Sequence, residues 1–185
     1  MLENYEKFLN DFDKILTTLF ERQKEYIMCK KGCSICCEKG DYPFSQLEFS
    51  YLTKGFISLP NDKKIVVQNN IKNLSEEKRK YKGERFEHKC PFLIEKECSV
   101  YKYRGIICRT FGICYYDSEK DYVRLPGCVN NGLNYSKVYD EKTKILSIED
   151  VPAINLRIDK VLESKEAKKY NLDHGEIRSM LSWLE

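Results

Sequence analysis

The chain has 185 residues, 33% charged and 42% hydrophobic, with nine cysteines and a formal net charge of +3. That length suits one domain with a real core, and that composition excludes a disordered chain. No apolar run approaches the roughly 18–20 residues of a membrane span, and the 32 basic and 29 acidic residues intermingle instead of forming the basic face of a nucleic-acid binder.

In chain order, residues 2–27 place Leu2, Tyr5, Leu9, Phe12, Leu16, Leu19 and Phe20 at intervals of three and four. This spacing predicts a long amphipathic helix leading into Cys29. The acidic start lacks the apolar stretch of a signal peptide, so a cytoplasmic location is expected. Gly32 permits a tight turn inside the cysteine run. Ser45-Gln46-Leu47-Glu48 matches a capping box and predicts a helix to about residue 54. Pro60-Asn61-Asp62 opens a third helix to about residue 82, with Ile65, Val66, Ile71 and Leu74 on its apolar side.

From Phe86 to Cys128 short apolar pieces alternate with Cys, Pro and Gly, which predicts small hairpins and irregular loops. Phe92-Leu93-Ile94 and Ser99-Val100-Tyr101 flank Glu95-Lys96-Glu97. Tyr115-Tyr116 faces Tyr122–Leu125 as a second hairpin, and Val138-Tyr139 faces Ile145-Leu146 as a third. A helix after Asp150 to about residue 168 and a last helix over 173–184 follow, with Trp183 buried against the N-terminal helices. The expected fold is therefore α+β and mainly helical. A single domain over 1–185 has a cysteine-rich irregular core at 29–128, flanked by helices over 2–27 and 151–184.

The cysteines carry the chemistry. Cys29, Cys33, Cys36 and Cys37 fall within nine residues as C-x3-C-x2-C-C, and Cys90, Cys98, Cys108, Cys114 and Cys128 occupy a second stretch. In a reducing compartment such a count points to metal or redox chemistry before disulfides. Spacings of two or three let thiolates of one loop reach one centre, the geometry of zinc knuckles and iron-sulfur loops alike. Lys30, Lys31, Arg104 and Arg109 supply cations that ease deprotonation.

The expected ligands are Cys29, Cys33, Cys36, Cys37, Cys90, Cys98, Cys108 and Cys128. They suffice for two four-coordinate zinc ions, for one cubane cluster with spare thiols, or for a larger assembly. Adjacent side chains diverge, so Cys36 and Cys37 are expected to serve different centres or different metal atoms. His88, two residues before Cys90, is a further candidate ligand, and so is Cys114. Arg104 and Arg109 are expected beside the thiolates, bonding loop carbonyls and sulfurs. No serine, histidine and aspartate set and no phosphate-binding loop stands out, so no catalytic residue is assigned. Asn73-Leu74-Ser75 and Asn134-Tyr135-Ser136 match glycosylation acceptors, which a cytosolic chain does not use.

One resemblance extends this reading. The run Cys29-x3-Cys33-x2-Cys36-Cys37 is followed by Cys90-Pro91-Phe92-Leu93, Cys98-Ser99-Val100-Tyr101, Arg104-x3-Cys108-Arg109-Thr110-Phe111-Gly112 and Cys128-Val129-Asn130. It resembles the CxxCxxCC cysteine-cluster family described as zinc- or iron-chelating (YkgJ-like), in register over residues 29–128. The resemblance implies a metal-chelating domain, with zinc and an iron-sulfur cluster both entertained and no general reaction established.

Two departures remove no ligand: Gly105 stands where that family has proline, and the first spacing is three instead of two. Cys114 has no counterpart in the pattern. The cluster is also similar to that of flagellin lysine methylases, which are considerably larger, and this chain shows no glycine-rich loop for S-adenosylmethionine. The functional expectation is a metal-binding module whose metal organises a surface for another protein. The alternative is an iron-sulfur redox or protein-modifying enzyme.

Overall fold

The structure, a computed structural model, describes residues 1–147 and 153–185. The chain divides into two compact units, one made of Glu3–Lys31 with Ile107–Leu172 and the other of Gly32–Ile106 with Asp173–Glu185. Helices predominate, and the strands described form antiparallel pairs, so the class is α+β and mainly helical. Among the described residues no helix is long and apolar enough to cross a membrane.

In the first unit the predicted helix runs as Leu2–Arg22 and buries Tyr5, Phe8, Leu9, Phe12, Leu16 and Leu19, the spacing read from the sequence. It stops earlier than expected. Gln23 leaves helical geometry and is 1% exposed, and Lys24–Tyr26 continues as a single 3-10 turn. Tyr170 packs edge-on to Phe8 and bonds Asp11 through its hydroxyl, while Asn4 donates to the Tyr170 carbonyl at 3.1 Å. Tyr115–Asp117 pairs with Tyr122–Arg124, and Tyr139–Asp140 with Ile145–Leu146, as the two predicted hairpins.

The helix expected after Asp150 is shorter and broken, with its first residues outside those described. The described part forms Ile158–Leu162 and Lys165–Lys168. Ser164 separates them because its hydroxyl accepts the Ala167 amide at 3.2 Å, which starts a new helix at that point.

In the second unit the predicted capping box is present at the start of Gln46–Ile57. The Glu48 side chain reaches further than the box requires. Its Oε2 accepts from the Ser45 amide at 2.9 Å and the Ser45 hydroxyl at 2.8 Å, and its Oε1 accepts the Ile106 amide at 2.8 Å. The side chain thus ties the helix start to a segment 58 residues away. Gly105 lies beside this junction. A Cβ there would stand 2.7 Å from the Phe44 ring and 3.0 Å from Glu48 Oε1, so this chain has no room for a larger residue at that position.

Asn61–Lys80 is the expected third helix, with a different inner face: Val67 and Leu74 are buried, whereas Ile65 and Val66 are 57% and 41% exposed. The last expected helix is corrected more strongly. Ile177–Ser179 is a strand paired with Pro43–Ser45, and only Met180–Leu184 is helical, capped by Ser179. Strand pairing with a distant segment outweighs the local helical pattern here. Trp183 is half-buried on this unit's own helix, stacked on Phe49 at 5.6 Å with its indole N–H donating to the Phe44 carbonyl at 2.9 Å.

Candidate metal centre

The cysteine loop takes up a short helical turn, Ile35–Glu38, after Gly32 has turned the chain with φ +84. Ser34 is 9% exposed and bonds Glu38 at 2.9 Å, fixing that turn. Two backbone bonds then join the loop to the second cysteine segment. The Cys90 amide donates to the Cys37 carbonyl at 2.8 Å, and the Gly40 amide donates to the His88 carbonyl at 3.0 Å. The two remote segments named by the sequence therefore meet within this unit.

Cys98 arrives from a hairpin near the expected one but with a tighter turn: Leu93–Ile94 pairs with Glu97–Cys98, and the expected second strand Ser99–Tyr101 is not one, Tyr101 opening a 3-10 turn instead. Glu95 and Lys96 turn it with φ of +48 and +65, the left-handed conformation a two-residue hairpin loop needs. Two thiols of the unit, Cys37 and Cys90, are shifted by neighbouring thiols. Cys37 is pushed up to about 11 by burial and by the neighbouring Cys98 and Cys33, against the Arg104 charge. Burial pushes Cys90 up to about 12, helped by Cys37 and Cys98 and opposed by the Phe92 and Leu93 amides. Cys98 is likewise raised by burial, opposed by the Val100 amide and Arg104. Each of Cys90 and Cys98 thus has a backbone N–H two residues onward aimed at its sulfur, which favours the thiolate once a cation is present.

The Arg104 Nε donates to the Tyr101 carbonyl at 2.9 Å and its guanidinium lies 3.5 Å over the Tyr101 ring, while its charge lowers the Cys37 and Cys98 thiols against their burial. His88 is buried, and both ring nitrogens face oxygens: Nδ1 lies 2.8 Å from the Lys89 carbonyl and Nε2 lies 3.5 Å from Asp41. Burial opposes a charge on this ring, but Asp41 and the Lys89 carbonyl outweigh it and raise the pKa. At 3.5 Å the ring faces Asp41 without a formed hydrogen bond between Nε2 and Oδ1.

Cys36 lies beside Cys37 on the Ile35–Glu38 turn, and Cys29, Cys108, Cys114 and Cys128 belong to the first unit. Arg109 pairs with Asp13 at 2.7 Å, anchoring the segment that carries Cys108 to the Leu2–Arg22 helix. Cys128 is 3% exposed within the 3-10 helix Gly127–Asn131. Cys114 is wholly buried with Val129 and Tyr135. Its amide donates to Gln23 Oε1 at 3.1 Å and to the Tyr135 hydroxyl at 3.0 Å, its thiol points to the same Gln23 oxygen at 3.4 Å, and Tyr135 closes the network onto Gln23. Burial pushes this thiol up to about 11. The site is a satisfied core network of the kind a buried polar cluster needs.

Sequence reasoning did not single out Asn134 as a site residue, noting it only as a glycosylation match. It is 1% exposed, and its amide bonds the Met28 amide, the Gly112 carbonyl and the Cys29 sulfur. A side chain so enclosed cannot accept a glycan. The only local signal was an Asn followed closely by Tyr135, which carries no mark of a sulfur contact.

No disulfide joins any of the nine cysteines. Among the described residues no group of three or more His, Cys, Asp or Glu side chains is arranged to hold a metal ion. Comparison of the chain with protein-family models, with curated proteins and with solved structures gives no match.

Proposed function

We propose that this protein binds metal through cysteine thiolates, holding zinc or an iron-sulfur cluster, and that the bound metal organises loops into a surface for another protein. The ligands are drawn from Cys29, Cys33, Cys36, Cys37, Cys90, Cys98, Cys108 and Cys128. The observation that supports this best is the pair of backbone bonds that join the cysteine loop to the second segment, from the Cys90 amide to the Cys37 carbonyl and from the Gly40 amide to the His88 carbonyl, in the unit that holds Cys33, Cys37, Cys90 and Cys98. Four thiols, two of which (Cys90 and Cys98) have backbone amides at their sulfurs, match the donor set of either a tetrahedral zinc site or a cubane cluster. Cys36, beside Cys37 on the same helical turn, is left to a different centre or metal atom.

Binding asks the side chains to move. The sulfurs must turn inward by rotamer changes and lose their protons, and the Arg104 charge favours that loss at Cys37 and Cys98. The resemblance to the CxxCxxCC cluster family supports the same reading through the motif alone. When bound, zinc would supply a structural staple, and an iron-sulfur cluster would supply electron transfer.

Elemental analysis of anaerobically purified protein, taken with its visible spectrum, tests the proposal. Colourless protein with stoichiometric zinc, or brown protein with iron and sulfide, supports it and separates the two metals. Protein that stays without metal after anaerobic incubation with Zn2+, and with Fe2+ and sulfide, refutes it.

A further inference from the structure

We infer that His88 and Asp41 form a divalent-cation site of nitrogen and oxygen, separate from the thiols and present whether or not the thiols bind metal. Two buried polar atoms there face each other without a hydrogen-bond partner: His88 Nε2 and Asp41 Oδ1, 3.5 Å apart. His88 is 5% exposed. Buried polar atoms are almost always paired, so two unpaired ones on facing side chains mark a place for something that binds both.

Each side chain is held from behind. The His88 ring stacks on Phe86 at 5.6 Å, and its Nδ1 lies 2.8 Å from the Lys89 carbonyl, which turns the Nδ1 hydrogen to that oxygen and directs Nε2 at Asp41. Metal-binding histidines are oriented in this way, the second nitrogen donating to a carbonyl or carboxylate. The Ser179 hydroxyl and the Leu181 amide bond the Asp41 carboxylate, and with Oδ1 unpartnered they are left to Oδ2. The bridge between Gly40 and His88, closed by the Gly40 amide on the His88 carbonyl at 3.0 Å, sets the two residues side by side.

The separation selects the occupant. A direct N–H···O bond has a length of about 2.7–3.2 Å, which the observed 3.5 Å exceeds. A water about 2.8 Å from both atoms would hold them at about 80°, too narrow an angle for its two hydrogens. A zinc-like ion about 2.1 Å from both holds them at about 115°, close to tetrahedral. Asp41 keeps 23% of its side chain exposed, so water can complete the shell from that side.

The test uses the full chain, isotope-labelled for nitrogen NMR, with Zn2+ and spin-active Cd2+ as the probes. The cadmium resonance separates an ion held by nitrogen and oxygen from one held by thiolates, and scalar coupling to a ring nitrogen reports a direct bond. The chain has two histidines, so His174 is the internal control. The expected result is a cadmium signal outside the thiolate range, coupled to His88 Nε2 and not to His174. Asp41→Asn is expected to weaken Zn2+ binding at His88, followed by the Nε2 resonance, by about 10-fold or more.

A saturated wild-type chain without coupling to His88 overturns the inference, whatever the thiols do. Coupling to both histidines alike marks an adventitious ion only, and overturns it too. So does coupling of His88 to a cadmium in the thiolate range, which assigns the ring to the cysteine centre, and so does wild-type affinity at His88 in Asp41→Asn. Where that variant fails to fold, the wild-type coupling decides alone. His88 coupled in a chain whose thiols take up no metal upholds this site and refutes the thiolate reading.

Discussion

Glu48→Ala is expected to be among the most damaging single changes in the second unit. Truncation takes their acceptor from the Ser45 amide, the Ser45 hydroxyl and the Ile106 amide, and both residues are 0% exposed. An orphaned buried donor costs about 1–3 kcal/mol, so three amount to about 3–9 kcal/mol. Burying the carboxylate itself is unfavourable, and removing it returns part of that sum, which leaves a net loss of about 3 kcal/mol. A domain of this size has a total stability of about 5–15 kcal/mol, so the loss is large.

The pH dependence gives a second handle. Burial pushes the Glu48 carboxyl above its ordinary value of 4.5, against the Ser45 and Ile106 hydrogen bonds that hold it charged. A raised folded-state pKa means the folded chain holds this proton more tightly than the unfolded chain does. The resulting stabilisation is fully present below 4.5 and is lost as the pH rises through the raised value. Glu48→Gln abolishes that slope, and at neutral pH it costs about 1–2 kcal/mol, because its amide end meets a donor where an oxygen stood.

The assay is urea unfolding between pH 4 and 8, followed by the fluorescence of Trp183, the single tryptophan, which stacks on the same helix. Glu48→Ala within about 0.5 kcal/mol of wild type, or an unchanged pH slope in Glu48→Gln, refutes the reasoning.

Saturating Zn2+ at about 1,000 times its dissociation constant should stabilise the chain by about 4 kcal/mol, and a chelator should reverse the gain; a melting midpoint indifferent to both would count against a stapling role. Cys37→Ser should lower metal stoichiometry or affinity, whereas Cys114→Ser should leave both unchanged, as read by elemental analysis of the purified variants. Tyr135→Phe removes the hydroxyl that bridges Gln23 and the Cys114 amide, and should cost about 1–2 kcal/mol in urea unfolding. Gly105→Ala drives a Cβ into the Phe44 ring and should cost about 1–3 kcal/mol, measured the same way.

Local signals in the sequence were good guides to local structure. The second and third hairpins and the Ser45–Glu48 capping box follow from alternation, turn residues and a four-residue motif, each complete within a short window. The strand Ile177–Ser179 escaped because its cause is Pro43–Ser45, a segment remote in sequence. Ile65 and Val66 were placed on the wrong side of their helix because a strongly polar helix with few apolar residues fixes its inner face poorly.

At the site, cysteine spacing led to the loop and the segment that the Cys90–Cys37 bond brings together. The second layer was less visible. The commitments of His88 to Asp41, and of Asn134 to Cys29, are contacts between single side chains at long range, which no spacing rule encodes.

The interleaving of the two units bears on how the chain is made. Neither unit is a continuous stretch of sequence, and Pro43–Ser45 finds its strand partner only when Ile177–Ser179 exists. At ribosomal rates of about 5–20 residues per second, that wait is on the order of ten seconds. Throughout it, Phe44 and the lone strand edge stand open to other nascent chains. A translating cell would meet this hazard before the protein ever met a metal ion, so chaperone contact during synthesis should concentrate on the stretch around Phe44.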